Sequence, residues 1–227
     1  MPEPIPNPQL LRSLGRLARG LSALFWGLPA ALIVCAETAR ADWLKPLGIL
    51  PALAVNALLL YGLWQMSDFQ KQERPWRHAL DRALLLALVN FGLCPFIYWH
   101  NRMPGEFFFN AAVMVLELSA VLFLFNLNLV LKRLAAMLPD ETLRHETRQF
   151  TALNRWLLVL LLFLSIAILW LTQTPHPSLP VGKLLIWAGR FSNLLLIFFI
   201  LLPLAMTMAL IWKTKEVILD AVFGSRQ

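Results

Sequence analysis

The stretch AAVMVLELSAVLFLF, residues Ala111–Phe125, decides the fold. It is continuous and Leu-rich, without the alternation of a half-buried strand or of a membrane β-barrel, so it reads as helix. Extended to Phe107–Leu131, it exceeds the ~20 residues that cross a hydrocarbon core. One charge interrupts it, Glu117, and that carboxylate needs an explanation.

The rest of the chain is of the same kind. Of 227 residues, 59% are hydrophobic and only 15% charged, with a mean hydropathy of +0.64. That is too little charge to cover a soluble domain. The sequence predicts an all-α, polytopic membrane protein with six spans near Leu21–Ala36, Leu47–Met66, Ala83–Trp99, Phe107–Leu131, Trp156–Leu171 and Leu184–Trp212. Its organisation is a Pro-rich then basic N-terminal segment (1–20), a transmembrane domain (21–212) with a cytoplasmic helical hairpin around 132–155, and a cytoplasmic tail (213–227).

Charge placement sets the orientation. Of the 20 Lys and Arg residues, only Arg40, Lys45, Arg102, Lys183 and Arg190 fall on one side of these spans. By the positive-inside rule both termini are then cytoplasmic. Trp43, Trp99, Trp170 and Trp187 mark the outer interface, and Trp64, Trp76, Trp156 and Trp212 the inner one, as an aromatic belt. The first span has a rival reading as a signal peptide ending at Ala39–Ala41. The net charge of +7 is spread over the ends of apolar runs and forms no basic domain, so nucleic acid is not an expected partner.

Local signals place the breaks. Pro75 suits the first turn of the third helix. Pro139 and Asp140 read as a stop and an N-cap, joining the fourth helix to a fifth that starts near Glu141 and projects roughly 22 Å before the membrane. Residues 213–223 are amphipathic and read as a helix along the inner surface, with Val217, Ile218, Val222 and Phe223 toward lipid. The tetrapeptides SLGR (Ser13–Arg16), ALDR (Ala79–Arg82) and ALNR (Ala152–Arg155) each stand at the start of an odd-numbered span. They read either as three tandem hairpins or as chance matches among Leu-rich, Arg-flanked segments.

Counting residues inward from the outer boundary puts Asn56, Asn90, Glu117, Arg190 and Asn193 near one depth, close to the bilayer midplane. A charged Glu117 facing lipid would cost about 2.5 kcal/mol or more, so it is expected to face inward, paired with Arg190 or protonated. These residues are either interhelical glue or the lining of a proton or cation pathway. Asn126 and Asn128, nearer the cytoplasmic end, read as an interface only.

No nucleotide-binding, hydrolase or zincin motif is present. No histidine lies within a span, so haem is disfavoured; His100 and His176 share the outer side with Glu37, Asp42 and Glu106 as candidate metal ligands, and His100, Glu106 and His176 are the sole hint of an interfacial lipid enzyme. Cys35 and Cys94 lack C-x-x-C spacing and read as free thiols. The sequence thus points to a non-catalytic protein of a bacterial inner membrane that binds no cofactor. It would serve as a subunit or scaffold, meeting the bilayer and either a protein partner at the hairpin or further copies of itself. A small transporter using Glu117 is the alternative.

Overall fold

A computed structural model describes residues 8–40, 44–70, 72–138, 141–173 and 199–220. Among these there is no strand. The helices are α1 (Pro8–Arg40), α2 (Leu50–Met66), α3 (Arg74–Leu93), α4 (Pro95–Arg102), α5 (Phe107–Met137) and α6 (Glu141–Gln173), with a short 3-10 turn at Lys45–Leu47 before α2. Residues 199–220 form a further helical segment. Three helical stretches, Arg12–Arg40, Arg74–Arg102 and Phe107–Met137, are long and apolar enough to cross a membrane, and Leu50–Met66 is a shorter apolar helix.

Proline punctuates the chain. Pro51, Pro75 and Pro95 each stand in the first turn of their helix, where the missing N–H leaves no hydrogen bond unmade. The third span is consequently two helices, broken at Cys94, where the sequence predicts one. Pro95 cannot donate to the carbonyl of Phe91, and the Cys94 thiol does so instead at 3.2 Å. At the other break, α5 ends at Met137 and α6 begins at Glu141, as the Pro139–Asp140 signal predicts; those two residues themselves lie outside the described set. Arg144 reaches back to donate to the carbonyls of Ala136 and Leu138, both at 3.3 Å, and so caps the end of α5.

Consecutive helices pack against each other. On the inner face of α1, Leu17, Leu21 and Leu24 meet Leu63 and Met66 of α2 in the main core. Gly20 and Gly62 let the two backbones touch. On α3, Ala79, Ala83 and Ala87 recur every fourth residue on the buried face, the small-residue spacing that lets membrane helices approach closely. Phe123, Leu127, Leu131 and Leu134 of α5 fill the same core, as do Leu210, Ile211 and Ile218 of the last helical segment. A ring contact of 5.6 Å between Phe25 and Trp212 ties that segment to α1. A smaller cluster of Ala52, Cys94, Ile97 and Leu116 sits toward the other end, with Cys35 packed on it.

The two ends differ in chemistry. Ion pairs Arg16–Asp68 and Glu146–Lys213 tie helices together at the basic end. At the opposite end Asn101 donates to the carbonyl of Thr38 at 3.0 Å, joining α4 to α1.

Two expectations are corrected. Trp76 is not an interfacial belt residue: it is 2% exposed, with its indole N–H on the carbonyl of Phe69 at 3.1 Å, under the α2–α3 turn. Trp64, Trp99, Trp156 and Trp212 are exposed, and so is Trp26. Residues 213–220 do not lie along a surface with Ile218 toward lipid, because Thr214 and Ile218 are fully buried against the bundle. Along the predicted hairpin, α6 is covered on one face, where Thr147, Thr151 and Asn154 are all buried. The tetrapeptide similarity does not extend to packing. The third residues Gly15 and Asp81 are exposed, whereas Asn154 is fully buried.

Candidate functional site

Of the five residues predicted at one depth, Asn56, Asn90 and Glu117 are among the described residues. Asn56 points inward from α2, donating to the Ala52 carbonyl at 2.9 Å and approaching the Cys35 sulfur at 3.9 Å. Asn90 is buried on α3, and its side-chain oxygen has no partner. Arg190 and Asn193 lie outside the described residues.

Glu117 is the surprise. The inward positions of this part of α5 are Ala112, Leu116, Ser119 and Phe123, spaced by three or four as a helix requires. Glu117 stands on the opposite side, between the exposed residues Met114 and Ala120, and is itself exposed. The two ion pairs among the described residues, Arg16–Asp68 and Glu146–Lys213, do not involve it. Among the described helices Glu117 is therefore not enclosed; Arg190, the partner the sequence names for it, lies outside the described residues. The helix phase turns this carboxylate outward.

A different polar centre occupies the interior. Asn128 of α5, Asn154 of α6 and Thr207 of the last segment are 2%, 0% and 0% exposed. The Asn154 amide donates toward three oxygens: Asn128 Oδ1 at 3.0 Å, Thr207 Oγ1 at 3.0 Å and the Pro203 carbonyl at 3.2 Å. Asn128 donates to Thr207 Oγ1 at 2.9 Å and to the Leu124 carbonyl at 2.8 Å. Thr207 donates to the Pro203 carbonyl at 2.7 Å. One neutral centre thus locks three helices.

This centre can specify packing but has no group that titrates or attacks. Interhelical hydrogen bonds of this kind contribute roughly 0.6 kcal/mol each, while fixing which helix meets which. The sequence reads Asn128 as a residue of the membrane–water interface near Lys132 and Arg133, whereas the structure buries it between helices. In the sequence Asn154 stands within ALNR at the start of a span and is not singled out. The signal was there in the spacing of Thr147, Thr151, Asn154, Leu158 and Leu161, a seven-residue pattern that marks one buried face.

Two further features complete the survey. At the end away from the basic one, Pro46, Tyr98, Asn101 and Arg102 line an open cavity of about 490 Å³, where Arg102 donates to the Tyr98 oxygen at 3.0 Å. Between α5 and α6, Val121, Leu122, Phe125, Leu158, Val159 and Leu162 line an apolar groove of about 150 Å³. Among the described residues no three His, Cys, Asp or Glu side chains come together as a metal would require; Asp42 and His176 lie outside them. Set against family models, curated proteins and solved structures, the chain matches none.

Proposed function

We propose that this chain is a non-catalytic, multi-pass protein of a bacterial inner membrane, and that it serves as a subunit or scaffold of a membrane assembly. In this reading α1, α2, the α3–α4 pair, α5, α6 and the helix containing residues 199–220 are the six spans. They form three successive hairpins with both termini on the cytoplasmic, basic side.

The observation that carries the reading is the contrast between Asn154 and Glu117. The interior polar groups around Asn154 bond to one another and join three helices, which is the work of packing. Glu117 stands on the outside of α5. A carboxylate at that depth is unfavourable against lipid tails and needs a cover that supplies hydrogen-bond donors or positive charge. A partner's transmembrane helix carrying Lys, Arg or an amide is the cover that charge complementarity selects.

Glu117→Leu tests this. The variant should insert and fold, since Leu suits a lipid-facing position, yet migrate as a smaller complex when extracted in mild detergent. Unchanged complex size would remove the support for a Glu117 contact.

The second reading, a small transporter with Glu117 as proton or cation site, draws on the usual role of intramembrane carboxylates. The groove one turn further along α5 is lined wholly by apolar side chains, which suits a lipid or helix contact better than a hydrated path. Loss of pH-dependent flux in Glu117→Gln, with complex size unchanged, would select transport.

A further inference from the structure

Thr147, Thr151 and Asn154 recur at i, i+4 and i+7 and so share one face of α6, spanning roughly 10 Å along its axis. They are 1%, 6% and 0% exposed, yet Thr147 Oγ1, Thr151 Oγ1 and Asn154 Oδ1 have no hydrogen-bond partner. Ser119 Oγ on α5 is likewise buried without a partner, but four other hydroxyls behave differently. Ser22, Thr38, Thr207 and Thr214 each donate to the carbonyl four residues earlier, at 2.7–2.9 Å. A helical threonine has that bond to hand, and Thr147 and Thr151 do not take it. Leaving a buried polar atom unpaired costs about 1–3 kcal/mol, so such a run on one face calls for partners that the protein does not itself provide.

The seam has an open mouth and a closed end. Asn154 meets Thr207 and Glu146 meets Lys213, so α6 and the 199–220 segment run antiparallel. The Glu146–Lys213 ion pair sits beside Thr147 and Thr214, with its side chains 39% and 48% exposed. Beyond Asn154 the same face of α6 turns apolar, at the buried Leu158 and Leu161.

We propose that this seam is a hydrated site: a blind file of water molecules, entering at the Glu146–Lys213 pair and ending on the Asn128–Asn154–Thr207 centre. Its ligand class is water and cations of similar size. The unpartnered atoms suit that class, being hydroxyl and amide oxygens of the kind that buried water satisfies. The ion pair is the gate, and the Asn154 amide is the plug that keeps the file from crossing the bundle. The side from which water enters rests on the orientation proposed above, but the hydration itself does not.

The test uses the full chain, with Cys35→Ser and Cys94→Ser, in oriented vesicles. Silver ion, a thiol-reactive cation near the size of water, is applied to Thr151→Cys and to Leu158→Cys, and thiols left unreacted are then counted by maleimide after denaturation. Silver should protect Thr151→Cys and leave Leu158→Cys free, and Lys213→Ala should speed the protection. Equal reactivity at the two positions would overturn the hydrated seam, while protection indifferent to Lys213→Ala would overturn the gate.

Should Thr151→Cys fail to fold, Thr147→Val and Thr151→Val decide the matter by the sign of their effect. In a hydrated seam, valine strands the water and lowers the melting temperature. In a dry seam it removes an unpaired hydroxyl at constant shape and raises it. A shift of labelling to the opposite vesicle face would overturn the orientation alone.

Discussion

Gly20 and Gly62 meet backbone to backbone. A Cβ on Gly20 would stand 2.6 Å from the carbonyl oxygen of Gly62 and 2.8 Å from Met66 Cγ. The methionine end can swing away, but the carbonyl belongs to the α2 backbone and cannot. Gly20→Ala should therefore push α1 off α2 and lower stability by about 1–3 kcal/mol, the usual scale of overpacking. Gly15, five residues earlier on the same helix, has nothing within 4 Å of such a Cβ. Gly15→Ala should instead raise stability by up to about 1 kcal/mol through helix propensity. Melting of the two variants in detergent checks both signs at once.

Trp76 supplies a second test, because its burial contradicts the belt position that the sequence predicts. Trp76→Phe retains an aromatic ring against Phe69 but leaves the Phe69 carbonyl without its 3.1 Å donor, for a loss of about 1 kcal/mol. Trp76→Ala should cost about 3–5 kcal/mol, as large-to-small core changes do. A true interfacial tryptophan would tolerate both, so denaturation of the two variants distinguishes the positions.

Asn154 tests the polar lock. Asn154→Leu withdraws the donor that serves Asn128 Oδ1, Thr207 Oγ1 and the Pro203 carbonyl, and should destabilise by about 1–3 kcal/mol. Asn154→Asp is the sharper change: it places a second acceptor among three oxygens and should be the less stable of the two. The reverse order, measured by thermal melting, would mean that the amide donates little there.

Cys94 gives a prediction of practical use. Its thiol serves the carbonyl that Pro95 leaves unpaired. Cys94→Ser keeps a donor in place and should preserve stability, whereas Cys94→Ala should lose about 0.5–1.5 kcal/mol, the net value of one hydrogen bond. Equal melting temperatures for Ser and Ala would show the bond to be idle.

The helices were legible because apolar run length and proline position act locally. Pro75 and the Pro139–Asp140 break predict α3 and the α5–α6 boundary without any tertiary information. Cys94 was harder, since a proline inside a long apolar run either kinks or divides a helix, and the sequence does not say which. What the sequence did not supply was rotation about each helix axis. Depth follows from counting residues, and by that count Glu117 lies level with Asn56 and Asn90. Facing depends on which neighbours a helix finds, and α5 turns Leu116 and Ser119 inward in place of Glu117. Asn154 stands within ALNR at the start of a span and is not singled out there, although the seven-residue spacing of Thr147, Asn154 and Leu161 already traced a buried face.

The outward Glu117 is the centre of the account, and a cross-link tests it most directly. A photo-activatable side chain at Met114 or Ala120, the exposed positions flanking Glu117 along α5, would be illuminated in intact membranes. The account predicts an adduct to a separate polypeptide, lost when Glu117→Leu is added. Adducts to lipid alone, or only within the same chain, would contradict it.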